Sequence, residues 1–141
     1  MRWIVLSIVV VLAGCATPPG KLTSSDMSNY SRSVDATYQQ TYDGLREYAR
    51  QCGDILGHIP EWYEKSGKTI IDLYLRMGLG GRSNDAFGII EISPKGNRTE
   101  FSMGVVKAYS NPVFRSSNWW RPKIDKILDG IERGSPASCQ D

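Results

Sequence analysis

The residue pattern predicts an α+β domain: a helix, an antiparallel sheet of three to four strands and a second helix, preceded by a disordered tether. Three observations carry this expectation. Val34, Tyr38, Tyr42, Leu45, Ala49 and Cys52 recur at spacings of three and four, which lines one face of a helix. From Thr69 to Ala108, apolar and polar residues alternate at the period of two that a pleated strand requires, with glycine-rich turns between the runs. Helical spacing then returns at Trp120, Ile124, Ile127, Leu128 and Ile131. Strands that follow one another directly, with helices only before and after, make an antiparallel sheet covered by helices.

At the amino terminus, Met1-Arg2-Trp3 precedes an apolar run from Ile4 to Leu12 and then Ala13-Gly14-Cys15. One early positive charge, an apolar run too short to span a bilayer and small residues at the cleavage point describe a secretory signal over residues 1–14. The tetrapeptide Leu12-Ala13-Gly14-Cys15 resembles the lipobox of bacterial lipoproteins. The resemblance implies that the Cys15 thiol takes a diacylglycerol, that the chain is cut just before it, and that the new amino terminus is acylated. Three acyl chains make membrane attachment effectively permanent. The alternative is an ordinary cleaved signal with an accidental cysteine. By resemblance to enterobacterial sorting, Ala16 in place of an aspartate implies the outer membrane, with the domain facing the periplasm. Residues 15–32, dominated by Thr, Pro, Gly, Ser and Asn, read as a lipidated flexible tether with a reach on the order of 20 to 25 Å. Residues 33–141 then form a single periplasmic domain, long enough to bury roughly two thirds of its unfolded surface.

The first helix is expected to begin near Ser33. Asp35 in its first turn, Arg46 and Arg50 near its end and Gly53 just beyond it suit the helix dipole and a left-handed cap. Gly44 inside it costs about 1 kcal/mol relative to alanine, so it marks either a close approach to another backbone or a neutral surface position. Gly57, His58 and Pro60 make a connection, and Trp62-Tyr63 opens a short strand. From Thr69 to Met77, Ile71, Leu73 and Leu75 share one face, with Ile70, Asp72, Tyr74 and Arg76 on the other. The stretch Gly78 to Asp85 reads as a loop, Phe87 to Ile92 as a strand, Pro94-Lys95-Gly96-Asn97 as a turn, and Thr99 to Ala108 as a strand with Phe101, Met103 and Val105 on one face. Asn111-Pro112 ends the sheet, and Pro122 sits in the first turn of the second helix, which Gly134 and Pro136 close. This order of elements resembles the helix-grip domains of lipoproteins in the outer-membrane barrel-assembly machinery.

Lys and Arg number 17 against 15 Asp and Glu, and the signal removes only Arg2, so the remainder is near neutral and lacks the footprint of a nucleic-acid binder. Lipidation consumes Cys15 and leaves Cys52 and Cys139, which an oxidising periplasm would join; two separate thiols are the alternative. The single histidine, His58, has no ligand-spaced partner and no nucleophile elbow, so it reads as a loop residue, and no metal or cofactor is expected. The Gly78 to Asp85 stretch with Arg82 invites a phosphate cradle, yet it lacks the Gly-x-x-x-x-Gly-Lys spacing and joins two strands, which favours a hairpin loop open to a partner. Trp119-Trp120, flanked by Arg115, Arg121 and Lys123, has the composition of a binding hot spot. A helix buries only one of the two indoles, and Trp120 lies on the Ile124 stripe, which leaves Trp119 for the surface.

The second face of the sheet, with Ile70, Tyr74, Phe87 and Ile89, is too apolar for a fully solvated surface. Either a helix covers it, or it is an interface. Tyr74, Arg82, Arg115, Trp119 and Arg121 are therefore the candidate binding surface. The expected function is that of a lipid-anchored, non-catalytic binding or accessory component of an envelope assembly. The rival expectations are a small envelope hydrolase using His58 and an inhibitor of a foreign enzyme such as lysozyme.

Overall fold

The computed structural model describes residues 27–53, 55–106, 117–135 and 139. Cys15 with its tetrapeptide, the tether up to Asp26, Asn111-Pro112 and Arg115 lie outside them. Strand β1 spans Met27–Val34, helix α1 Tyr38–Cys52, β2 Ile59–Lys65, β3 Lys68–Arg76, β4 Arg82–Lys95, β5 Arg98–Val106 and helix α2 Ser117–Glu132. The strands form one antiparallel sheet in the order β1-β5-β4-β3-β2. The α+β class is as expected, but the sheet has five strands in place of three to four.

The additional strand is β1, which occupies the last third of the expected tether. Its composition, Met27-Ser28-Asn29-Tyr30-Ser31-Arg32-Ser33-Val34, is too polar to announce burial. What orders it is pairing with β5, from Met27 opposite Val106 to Val34 opposite Thr99, and a charged clamp onto α2. The Arg32 guanidinium meets Asp125 at 3.2 Å, Asp129 at 2.6 Å and Glu132 at 2.7 Å. The Tyr30 hydroxyl donates to Asp125 as well. Burial, then that hydrogen bond, push the Tyr30 phenol up to about 12. Burial works against the Arg32 charge, but hydrogen bonds to Asp129 and Asp125 and the charge of Glu132 outweigh it and hold the guanidinium protonated.

Because β1 occupies residues up to Val34, α1 begins later than the apolar spacing suggests. Its start is a capping box: the Thr37 hydroxyl accepts from the Gln40 backbone N–H, and the Gln40 side chain accepts from the Thr37 N–H at 2.9 Å. Gly53, at φ 72°, closes the other end in the left-handed conformation.

Both helices lie on the same side of the sheet, α1 over β4 and β5 and α2 over β1 and β5. The core is the layer between them: Ile71, Leu73, Ile90, Ile92, Phe101, Met103 and Val105 from the sheet meet Leu45 of α1 and Trp120, Ile124, Ile127 and Leu128 of α2. Each such side chain contributes roughly 1.5 to 3 kcal/mol when fully buried. The helices touch at Gly44, where an added Cβ would fall 2.5 Å from Ile131 Cγ1. Thus Gly44 does mark a close approach, to a side chain of α2. A disulfide from Cys52 to Cys139 ties the end of α1 to the carboxyl-terminal tail.

Phe87 departs from the expected face. Leu73 pairs with Gly88 while Tyr74 pairs with Ala86, so Phe87 is the extra residue of a bulge. The bulge turns its ring into the core, where it is 2 % exposed. The stretch Gly78 to Asp85 is likewise only partly a loop: Gly78–Gly80 is a single 3-10 turn, and β4 starts at Arg82.

Candidate functional site

Alternation on β2, β3 and β4 sends a second set of side chains away from the helices. Asp72 sits at its centre, opposite Glu61 of β2 on one side and Ile89 of β4 on the other. The neighbouring pairs on this face are Ile70 with Tyr63 and Glu91, and Tyr74 with Ile59 and Ala86. Neither helix reaches this side. Ile70, Tyr74 and Ile89 are half-buried, and Tyr63 is 42 % exposed. Toward β1 the same face is closed by the chain itself, since Met27 and Asn29 fill the space that Gly104 leaves.

The polar groups here form a connected set. Tyr63 donates its hydroxyl to Asp72 Oδ2 at 3.2 Å, while Asp72 Oδ1 is buried and accepts no hydrogen bond. Burial raises the Asp72 carboxyl above its usual value, and the charge of Glu61 adds to this against the opposing Tyr63 bond. Arg82 donates to Glu61 at 2.7 Å and lies 4.2 Å over the Tyr74 ring. That hydrogen bond lowers the Glu61 carboxyl and raises the Arg82 guanidinium. Burial raises both phenols, and the charge of Asp72 adds to each. The arrangement therefore offers two aromatic rings, two aliphatic side chains, a carboxylate with an unsatisfied oxygen and one already paired ion pair. These are the parts of a recognition surface: apolar area for affinity and directional polar groups for selectivity.

Of the residues singled out from the sequence, Tyr74 and Arg82 come together on this face. Arg82 is engaged by Glu61 and Tyr74. Trp119 and Arg121 lie on the helix side of the sheet, so they form no common surface with Tyr74. Trp120 is buried and Trp119 is 36 % exposed, with Lys123 Nζ 4.6 Å above its ring. Arg121 turns toward β1, with its guanidinium 5.1 Å over the Tyr30 ring and 3.7 Å from Asp125. His58 lies between the rings of Phe87 at 4.3 Å and Trp120 at 5.0 Å, and its Nδ1 is 2.7 Å from the Leu56 carbonyl. A histidine packed against two rings and held by a backbone carbonyl has the surroundings of a packing residue. Among the described residues, no three His, Cys, Asp or Glu side chains are grouped to hold a metal ion.

Sequence reasoning missed Glu61 and gave Tyr63 no site role, because it read Pro60 as part of a connection and only Trp62-Tyr63 as strand, whereas β2 begins at Ile59. The cross-strand register alone puts them beside Asp72.

No protein-family description and no curated protein matches this chain. Similar solved structures include the di-domain ARO/CYC BexL from the BE-7585A biosynthetic pathway, 11 % identical with a TM-score of 0.34 over 80 % of this chain and 51 % of that one. This chain thus spans about half the length of BexL. A conserved protein from Geobacillus kaustophilus is 14 % identical with a TM-score of 0.28, over 75 % of this chain and 89 % of its own. Norcoclaurine synthase from Thalictrum flavum is 11 % identical with a TM-score of 0.27, over 76 % and 91 %. Likenesses at this level carry no argument about what the chain does.

Proposed function

We propose that this chain is a lipid-anchored lipoprotein of the bacterial outer membrane that acts by binding, its helix-free sheet face docking a protein partner in the periplasm. One observation carries the reading. Both helices pack on a single side of the sheet, and the other side presents Tyr63, Ile70, Tyr74 and Ile89 around the half-buried Asp72 with nothing over them among the described residues. Contiguous apolar surface of this kind is rarely left to water in a soluble domain. The Cys52–Cys139 disulfide supports an oxidising compartment. Leu12-Ala13-Gly14-Cys15 supports acylation at Cys15. The engagement of His58 by two rings and a carbonyl favours binding over hydrolysis, and we assign no catalysis.

Cross-linking in intact cells followed by mass spectrometry tests the docking face. Tyr74→Lys is expected to abolish partner cross-links while changing the unfolding free energy by no more than about 1 kcal/mol. A stable variant that keeps every cross-link removes this face from the reading. The anchor is tested separately: fatty-acid labelling is expected in the wild type and absent from Cys15→Ser, and label that persists in the variant would rule out acylation at that thiol.

A further inference from the structure

A second recessed surface lies on the helix side of the sheet, independent of the docking face. It is an open cleft of ≈ 650 Å³ between α1 and the edge strand β2, lined by Arg46, Ala49, Arg50 and Trp62. Trp62 is opposite Ile71, whose side chain is buried, so the indole projects toward α1 and away from Asp72. Tyr42 meets it edge-on at 5.7 Å and fixes its plane. Arg46 and Arg50 stand one turn apart on α1, a like-charge pair that weakens an isolated helix. The partners they have do not neutralise both. Glu47 takes one nitrogen of Arg50 at 2.6 Å, whereas Arg46 donates to the neutral Tyr42 hydroxyl. Each guanidinium has five N–H donors, so most of this fork remains for a guest. Ala49, the smallest side chain on the wall, keeps the floor open beneath them.

We infer that this cleft binds a small oxyanion carried on a flat apolar body, a carboxylate or phosphate attached to an aromatic ring. The two guanidiniums take the oxygens in charge-assisted, bidentate fashion. Trp62 takes the ring. The cleft is open to solvent, and an oxyanion between Arg46 and Arg50 offsets their mutual repulsion.

Phenyl phosphate is the probe, titrated into the full disulfide-bonded chain while the indole N–H resonance of Trp62 is followed, with calorimetry for the affinity. The expected result is a saturable shift of that resonance and binding that weakens with salt. The double variant Arg46→Gln/Arg50→Gln, on an exposed helix face, is expected to keep the wild-type melting temperature and to bind roughly tenfold or more weakly. Ala49→Leu, which fills the floor without touching charge, is expected to block binding too. The exposed Arg98→Gln, near Asp35 and away from the cleft, is expected to bind as the wild type does. Four results would overturn the inference: an unmoved Trp62 resonance, undiminished binding by the double variant, loss of binding in Arg98→Gln, or inorganic phosphate binding as tightly as phenyl phosphate. The last would mean that the ring has no place in the site.

Discussion

Asp72 is subject to opposing influences on its proton: burial favours the neutral acid, and the Tyr63 hydroxyl favours the carboxylate. Burial dominates, so folding raises this pKa above its usual value of 3.8. A folded state that binds the proton more tightly than the unfolded one is stabilised by that proton in full below the unfolded pKa. The contribution is lost as pH rises through the folded value. Asp72→Asn, which cannot ionise, is therefore expected to match the wild type in acid and to be the more stable protein near pH 7. Urea titrations of the two across that range measure the difference. A wild type that is the more stable of the two at neutral pH would show that the carboxylate is well solvated. Glu61, held down by Arg82, acts with the opposite sign, which is why the comparison is between two proteins and not along one curve. The face that Asp72 occupies was legible in the alternation of Ile70, Asp72 and Tyr74. Its surroundings were not, because Glu61, Tyr63 and Arg82 arrive through strand register. Phe87 shows the limit of the same rule: strict alternation puts it outside, and one bulged residue turns it inside.

Among the elements, α1 and α2 were legible from their stripes, and β3 and β5 from alternation. Strand β1 was not, since its stability comes from partners distant in sequence, the β5 backbone and the α2 carboxylates. The Thr37 to Gln40 capping box was readable as a pattern, yet the apolar spacing beginning at Val34 obscured it. The packing of α1 on α2 yields a prediction that runs against helix propensity. Gly→Ala inside a helix ordinarily gains about 1 kcal/mol. At position 44 the new methyl would lie 2.5 Å from Ile131 Cγ1, and overpacking of this kind costs typically 1 to 3 kcal/mol. Gly44→Ala is expected to lower the unfolding free energy, and adding Ile131→Ala to it should recover less than additive loss. A single variant more stable than the wild type would mean that the helices part freely at this crossing.

For the whole molecule, the disulfide closes a loop of 87 residues. The chain-entropy account assigns such a loop about 4 to 5 kcal/mol, and measured bridges in small domains give about 2 to 5. The Cys52→Ser/Cys139→Ser double variant is expected to lose stability within that span by urea denaturation, and a loss below about 1 kcal/mol would show that the tail was held without it. The even pair of cysteines that remains when Cys15 is set aside made this pairing legible, whereas the position of the helices on one side of the sheet was not: the same stripes serve a sandwich with a helix on each face. The strand order also has a consequence in time. Met27 pairs with Val106, so the earliest strand to emerge finds its neighbour only when roughly three quarters of the chain is out, and Cys52 waits longer still for Cys139. Pairings this distant in sequence form slowly, and until they form β1 has no native edge to join. A chain that emerges amino end first is thereby kept from completing its sheet until β5 has followed.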